Sequence, residues 1–594
     1  MDQAEEVLDP ITVEVIGGWL DTVAEEMQAT LIKTSHSAII TDGGDATAAL
    51  FDSRGRTVAQ ASAVPVHLGV LAELGLRFAS AYPEGEALPG DIYLTNDPYA
   101  GGTHMPDIAV AMPVFDGQSL SGYVATMSHH RDIGGCAPAS VSVYAKDIHA
   151  EGIRLPMIRL ARGGRINPTI MATIEANSRT PASLRGDLGA QIAACKTGTT
   201  RYGELFERWP RVTIDAAAET LMAYAERITR QEIEAIADGE YRFTDYLDDD
   251  GLSQDSEPVP IALTVTVSGS NITFDFAGTA AQVRSAINNV PASTRAIVYY
   301  AVRLLTGDRV PNNDGCYRPI TVRLPEGSVV NSTYPAPVAS RGVSLQRIED
   351  VILGAMARAL PRRMTAAHSG QYTLIGVAGP DPDGNGQLIG HLGGPFSGGH
   401  GARPTKDGID VSSHGAANGS AIPVEIAEAR LPMRFRRLEL WPDSGGAGRW
   451  RGGLGYQAEV EWLRGETMVT LRRERTRFGP WGIEGGGGAP PSRAEVERQD
   501  ATTAPLPGKI ELLFSAGERL RYWTTGSGGY GDPHEREVSR VHEDVLDGRV
   551  STAAAAAEYG VVITEESVDV AATDALRARR CTDTGAVVQP RHGK

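Results

Sequence analysis

Asp97 to Gly135 reads DPYAGGTHMPDIAVAMPVFDGQSLSGYVATMSHHRDIGG, and this stretch decides the fold of the first half of the chain. A Gly-rich turn leads into the apolar run Ile108 to Phe115, a turn follows at Asp116-Gly117, and Gly122 to Met127 returns. Two β-rich runs joined by a short polar loop predict a hairpin. His104 and Asp107 precede the outgoing strand, while His129, His130 and Asp132 follow the returning one. In an antiparallel pair the start of one strand lies beside the end of the other, so these side chains should converge. Imidazole and carboxylate without thiolate suit Zn, Mn or Fe, and leave positions open for water or substrate. The expectation is an open, catalytic-type metal site. The competing reading is a hydrogen-bonded loop cluster, because His and Asp are also common in turns.

Toward the N-terminus, Asp9-Pro10 predicts a helix start. Ile11, Val15, Trp19, Val23, Met27 and Leu31 then recur at helical spacing as far as Lys33, and core packing is the expectation for that stripe. In SAIITDGGDATAALFDSRGRTVAQ, Ala46 to Phe51 reads as a strand and Thr57 to Gln60 as its return. Asp42 and Asp45 precede the first strand in a Gly-rich bend that either supplies the hairpin site with a further ligand or merely caps itself. His67 opens another helix, as a group behind the site or a plain helix-start residue.

Toward the C-terminus, residues 186–198 and 213–238 read as helices, the first with Leu188, Ile192 and Ala193 inward. Composition changes after Gly239. PVPIALTVTVSGSNITFDFAGT alternates around Ser268-Gly269-Ser270, a strong hairpin signal. Helices are predicted at Ser293 to Leu305 and Gln346 to Leu360. From Ile389 onward Gly-rich turns separate short strands, among them Tyr456 to Leu463 and Lys509 to Leu512. The tail from Asp544 to Val562 reads as helical and the last dozen residues as loose. The fold class expected is α+β, with a metal-site-bearing region over 1–239 and a β-rich region with interspersed helices over 240–594.

The chain has 594 residues with 41% hydrophobic and 22% charged content, enough for an ample core. A net charge of -18 argues against a nucleic-acid or anionic-membrane surface. No run of 18 apolar residues and no signal-peptide pattern occurs, which points to a cytoplasmic protein. Four Cys are scattered without CxxC spacing, so reduced thiols are expected. Cys136 beside the proposed site is a possible nucleophile, but a small buried thiol is the expectation. None of the Gly-rich runs has the P-loop pattern, and no ATP site is expected in this chain.

Taken together, NDPYAGGTHMPDIAVAMPVF, SHHRDIGG, NNDGCYRP, GGHGARP, PVEIAE, DSGGAGRWRGGLGY and GSGGYGDP resemble the hydantoinase B family, in order and over nearly the whole length. That resemblance implies the B-type subunit of an ATP-dependent cyclic-amide hydrolase acting on a hydantoin, 5-oxoproline or lactam. A hydantoinase A type partner would carry ATP and Mg and phosphorylate the substrate carbonyl, the two forming a heterotetramer. It further implies a divalent metal (Zn, Mn or Fe) on His104, Asp107, His129 and either Asp45 or Asp42. The family's Glu-Arg-x-Asp-Phe-Ser pattern is here Asp42-Gly43-Gly44-Asp45-Ala46-Thr47, which makes Asp45 the first choice. His130 or Asp132 would be a general base or would orient a ligand. A ketone carboxylase of the acetone or acetophenone type, and a non-catalytic scaffold subunit, are the alternative readings.

Overall fold

The computed structural model describes residues 8–583 apart from 308–309, 372, 382–386, 394–395, 414 and 418; the tail expected to be loose lies outside them. Its architecture is α+β. The first half contains α1 (Pro10–Thr34), α2 (Ala38–Thr41), β1 (Ala46–Asp52), β2 (Thr57–Gln60), α3 (Pro65–Ala81), β3 (Ile92–Thr95), β4 (Asp107–Asp116) and β5 (Ser119–His129). Then come β6 (Ile158–Arg162), β7 (Arg165–Ile166), α4 (Pro168–Ala176), α5 (Pro181–Arg208) and α6 (Arg211–Glu234). The strands form one antiparallel sheet in the order β2-β1-β5-β4-β3-β6-β7, with the predicted hairpin at its centre.

Both faces of this sheet are covered. Ala48, Leu50, Ile108, Val110 and Val124 meet α1 and α5, whereas Ala49, Phe51, Ala109, Ala111, Tyr123 and Ala125 face α3 and the helices behind it. Successive side chains alternate between faces, so double coverage explains strands that read as nearly continuous apolar runs. Helix starts follow their local chemistry: Pro occupies the first turn of α1, and the Asp9 carboxylate accepts from the backbone N–H of Thr12 at 3.3 Å.

The apolar phase of α1 differs from the expected stripe. Ile11 and Val15 are 73% and 47% exposed, and Val13, Ile16 and Leu20 are buried in their place, joining Val23, Met27 and Leu31. The expected stripe stepped by four residues throughout, whereas a straight helix turns in 3.6. In α5, Leu188 and Ile192 are buried, but Ala194 and Cys195 lie deeper than Ala193.

In the second half, β8 (Gly239–Leu247), β9 (Val259–Ser268), β10 (Asn271–Asp275) and β11 (Ile320–Arg323) form a four-stranded sheet. It is backed by α7 (Pro291–Thr306) and α8 (Arg341–Ala359). Gly69 of α3 lets α7 approach closely, since a Cβ there would stand 2.5 Å from the Cα of Ala296. One apolar cluster draws on residues from Ala49 to Ala416, so α3 and the central sheet share a core with α7, α8 and the β8–β11 sheet. Beyond residue 373 lie a four-stranded and a five-stranded sheet, packed around Trp462, Phe514 and Tyr522. The segment from Asp544 to Val562, expected as one helix, is covered by two, Val538–Leu546 and Thr552–Tyr559. Gly548, at φ +69, turns the chain between them.

A buried ionic lattice ties the end of β8 and the segment after it to the C-terminal strands. Asp245 receives Arg347 at 3.2 Å and Arg475 at 3.0 Å, and both guanidiniums are fully buried. Lys509 bridges Asp249 at 2.9 Å and Glu474. Removing one member of such a lattice leaves buried charge without a partner. Asp245→Ala should therefore lose about 3–5 kcal/mol in denaturant unfolding monitored by far-UV circular dichroism, against less than about 1 kcal/mol for exposed Glu240→Ala.

Candidate metal centre

Strand parity assembles the site. Asp107 and His129 are direct partners in the β4–β5 ladder, and each shares a face with the alanines and Met127 that look toward α3. Asp45 immediately precedes β1, and its carbonyl accepts from the backbone N–H of His129 at 3.2 Å. His67 of α3 stands above them, with Nε2 3.2 Å from Asp107 Oδ2 and Nδ1 3.6 Å from Asp45 Oδ1. His104 arrives from the turn before β4, and its ring centroid lies 5.1 Å from that of His129. One ligand atom each from His104, Asp107 and His129 fall within 4.8 Å of one another, a spacing that suits a metal ion.

The protonation pattern is set by neighbours. His104 Nδ1 donates to the Ala339 carbonyl at 3.0 Å, because that oxygen can only accept. Burial holds the His104 imidazole below its ordinary pKa against the pull of Asp107, so it is neutral with a bare lone pair on Nε2. That lone pair lies 3.3 Å from Asp107 Oδ1. Asp107 Oδ2 is occupied by Thr103 Oγ1, by Arg341 at 2.7 Å and by His67, whereas Oδ1 has no hydrogen bond. Burial disfavours the Asp107 anion, yet His67 and the other donors on Oδ2 hold its pKa well below the carboxylate range. Two facing acceptors at this distance call for a cation between them, and His129, whose pKa burial pushes well down, offers another neutral nitrogen. The donors fit a divalent metal.

The cavity wall is completed by the second half of the chain. Arg341 opens α8, His391 lies on the strand Gln387–Gly393, and Arg472 ends the strand Thr467–Arg472. His391, 5.8 Å from His129 between ring centroids, is lowered to about 3 by burial and then by Arg472 and Arg131. Burial opposes charge on His67, but Asp107 and Asp45 outweigh it and raise its pKa. The Asp45 carboxyl is raised to about 6, chiefly by desolvation. Behind His104, Glu151 accepts from the backbone N–H groups of Val338 and Ala339, each at 2.8 Å, and so fixes the carbonyl that orients the imidazole.

Several expected residues stand elsewhere. His130 follows the opposite parity and donates from Nε2 to Gln191 of α5 at 3.0 Å, turned away from the cavity. Asp132 accepts from the N–H groups of Gly134, Ala139 and Arg179 and pairs with the Arg179 guanidinium at 3.0 Å, locking the loop after β5. Neither is placed to act as a base in the cavity. Asp42 accepts from Thr41 Oγ1 at 2.7 Å and does not line the cavity, leaving Asp45 as the bend residue that does. Cys136 is exposed and away from the cavity, not a buried thiol. Arg341, His391, Arg472 and Glu151 carried no local sequence signal, since each reaches the site through tertiary contact alone.

No described helix is long and apolar enough to cross a membrane. The hydantoinase B/oxoprolinase family profile matches residues 9–533. Caprolactamase subunit beta of Pseudomonas jessenii is 31% identical over 581 residues, 96% of this chain and 99% of that one. The crystal structure of the ATP-dependent caprolactamase from the same organism superposes with a TM-score of 0.90, covering 96% of this chain and 100% of that chain. 5-Oxoprolinase 1 of Arabidopsis thaliana is 31% identical over 555 residues, 89% of this chain and 42% of that longer protein. At 19% identity and a TM-score of 0.90, nucleotide-free acetone carboxylase shares the fold over 98% of this chain and 84% of its own. The chain belongs to the hydantoinase B/oxoprolinase family.

Proposed function

We propose that this chain is the metal-dependent B-type subunit of an ATP-dependent cyclic-amide hydrolase, opening a hydantoin, 5-oxoproline or lactam ring. The observation that carries the reading is the pair of facing acceptors, His104 Nε2 and Asp107 Oδ1, 3.3 Å apart beside a neutral His129. In this reading His104, Asp107 and His129 hold Zn, Mn or Fe, and Asp45 stands on the same wall as a further oxygen donor. Bound there, such an ion supplies Lewis acidity, polarising a carbonyl or lowering the pKa of water to about 7.

The remaining groups position and move protons. Thr103 and Arg341 fix Asp107 through Oδ2, leaving Oδ1 free to hold an ion. His67, bridging Asp45 and Asp107, holds a proton on the cavity wall and takes the general acid–base role expected of His130 or Asp132. An unactivated lactam resists attack because its amide resonance must be broken, so an activating partner that phosphorylates the carbonyl oxygen is part of the proposal. The subunit designation in the name of the caprolactamase relative supports a separate partner, here proposed as an ATP-binding A-type subunit in a heterotetramer in the cytoplasm. Fold likeness to acetone carboxylase supports ketone carboxylation as the second reading.

Elemental analysis of the purified chain should find about one Zn, Mn or Fe per chain, lost in His104→Ala/Asp107→Ala with the fold unchanged by circular dichroism. Metal-free wild type, purified without chelator, would defeat the reading. With the partner and ATP, ring opening of a cyclic-amide panel without bicarbonate is expected; turnover only with a ketone and bicarbonate would favour the carboxylase.

Burial raises the Glu151 carboxyl from 4.5 to about 8, against two backbone hydrogen bonds that favour the anion. The native state therefore keeps a proton that the unfolded chain releases, so this group's contribution to stability falls as pH rises from 4.5 to about 8. Glu151→Gln keeps the accepting oxygen without the charge. Its stability relative to wild type should increase across that interval in denaturant titrations; a constant difference between pH 5 and pH 8 would contradict the assignment.

A further inference from the structure

Beside the metal cavity lies a second cavity of ≈ 490 Å³, and the two share Ile39, His391 and Ile422 in their walls. It is lined by Arg131, two residues beyond His129, and by Arg430, which ends the short helix Val424–Arg430. Among the described residues neither guanidinium forms an ion pair or side-chain hydrogen bond. The carboxylate that attracts Arg131, Asp187, is engaged by the backbone N–H groups of His36 at 2.7 Å and Ser37 at 3.1 Å. One carboxylate, Asp381, shares the wall with the two arginines.

Two like charges lining one cavity repel, and an anion between them relieves that repulsion. In a protein of net charge -18 this is a locally positive pocket, and such pockets concentrate anions from solution. Guanidinium is the side chain best matched to phosphate and carboxylate oxygens, which it binds in bidentate fashion. We propose that the Arg131–Arg430 cavity is an oxyanion-binding antechamber to the histidine–carboxylate cluster. It would seat the phosphate of an activated intermediate or the carboxylate of a ring-opened product, with the reacting carbon directed past His391. The identity of that ligand rests on the hydrolase reading; the anion site itself does not.

Calorimetric titration of inorganic phosphate into the full chain tests it. Saturable binding is expected, weakened about tenfold or more in Arg131→Gln and in Arg430→Gln, and less in Arg131→Lys, which keeps the charge without the fork. The His104→Ala/Asp107→Ala variant should bind phosphate as wild type does. Unchanged binding in both Gln variants, or no binding to wild type, would overturn the proposal. So would binding lost only in the metal-ligand variant, because the anion would then sit on the metal. Displacement of phosphate by acetate at comparable concentration supports a carboxylate ligand, and its absence supports a phosphoryl group. Phosphate binding in a wild-type chain that holds no metal would end the hydrolase reading and leave this site standing.

Discussion

Asp107 and His129 face each other because the β4–β5 ladder pairs them, and that single register carries the centre. A slip by one residue would exchange every side chain between the faces of the sheet. Ser128 and Ile108 would then look toward α3, and His130 instead of His129 would enter the cavity. The register is strongly specified because both faces are packed, one by α1 and α5 and the other by α3. A misregistered hairpin would bury polar side chains against two layers of helix at once. The chemistry thus inherits its precision from hydrophobic packing on either side of the sheet.

The same buried setting explains the electrostatics. Removal of His104, His129 and His391 from water favours their neutral forms, and neutral imidazole is the form that can donate a lone pair. Asp107 keeps its charge in equally dry surroundings because three donors (Thr103, Arg341 and His67) share one of its oxygens. The other oxygen is left free beside His104 Nε2. Since Arg341 opens α8, the helix that carries Arg347 and Asp350 into the ionic lattice, the metal side and the C-terminal strands are held by one rigid element.

Much of this was legible in the sequence where local rules decide. The hairpin, both strands around Asp52 to Gly55 and the Asp9-Pro10 helix start follow from periodicity and turn chemistry, with the hairpin turn at Gly117-Gln118, one residue on from Asp116-Gly117. Convergence of His104, Asp107 and His129 followed from antiparallel geometry alone. Local rules failed where phase or distance mattered. A stripe stepped by four through α1 drifts off the core face, which put Ile11 and Val15 inside when they lie outside. Adjacent histidines cannot be ranked without knowing which side of the sheet carries the cavity. Asp132 looked chemical because it is a carboxylate next to the site, but its oxygens are consumed by the loop it ties down. Arg341, His391 and Glu151 lie more than 40 residues from Asp107 in sequence, and only the fold brings them there.

The placement of charge around the two adjoining cavities adds a final constraint. Of the cations lining the first cavity, Arg341 is engaged on Asp107. Arg131 and Arg430 hold no residue of that cluster and line the adjoining cavity. His391 stands between the two spaces and is kept uncharged by burial and by Arg472 and Arg131 nearby. An anionic group held by Arg131 and Arg430 would leave the rest of a substrate to extend past His391 toward the histidine–carboxylate cluster. Charge segregation of this kind holds one part of a substrate while leaving the other free to react, an arrangement that pre-orients a reacting group at low entropic cost.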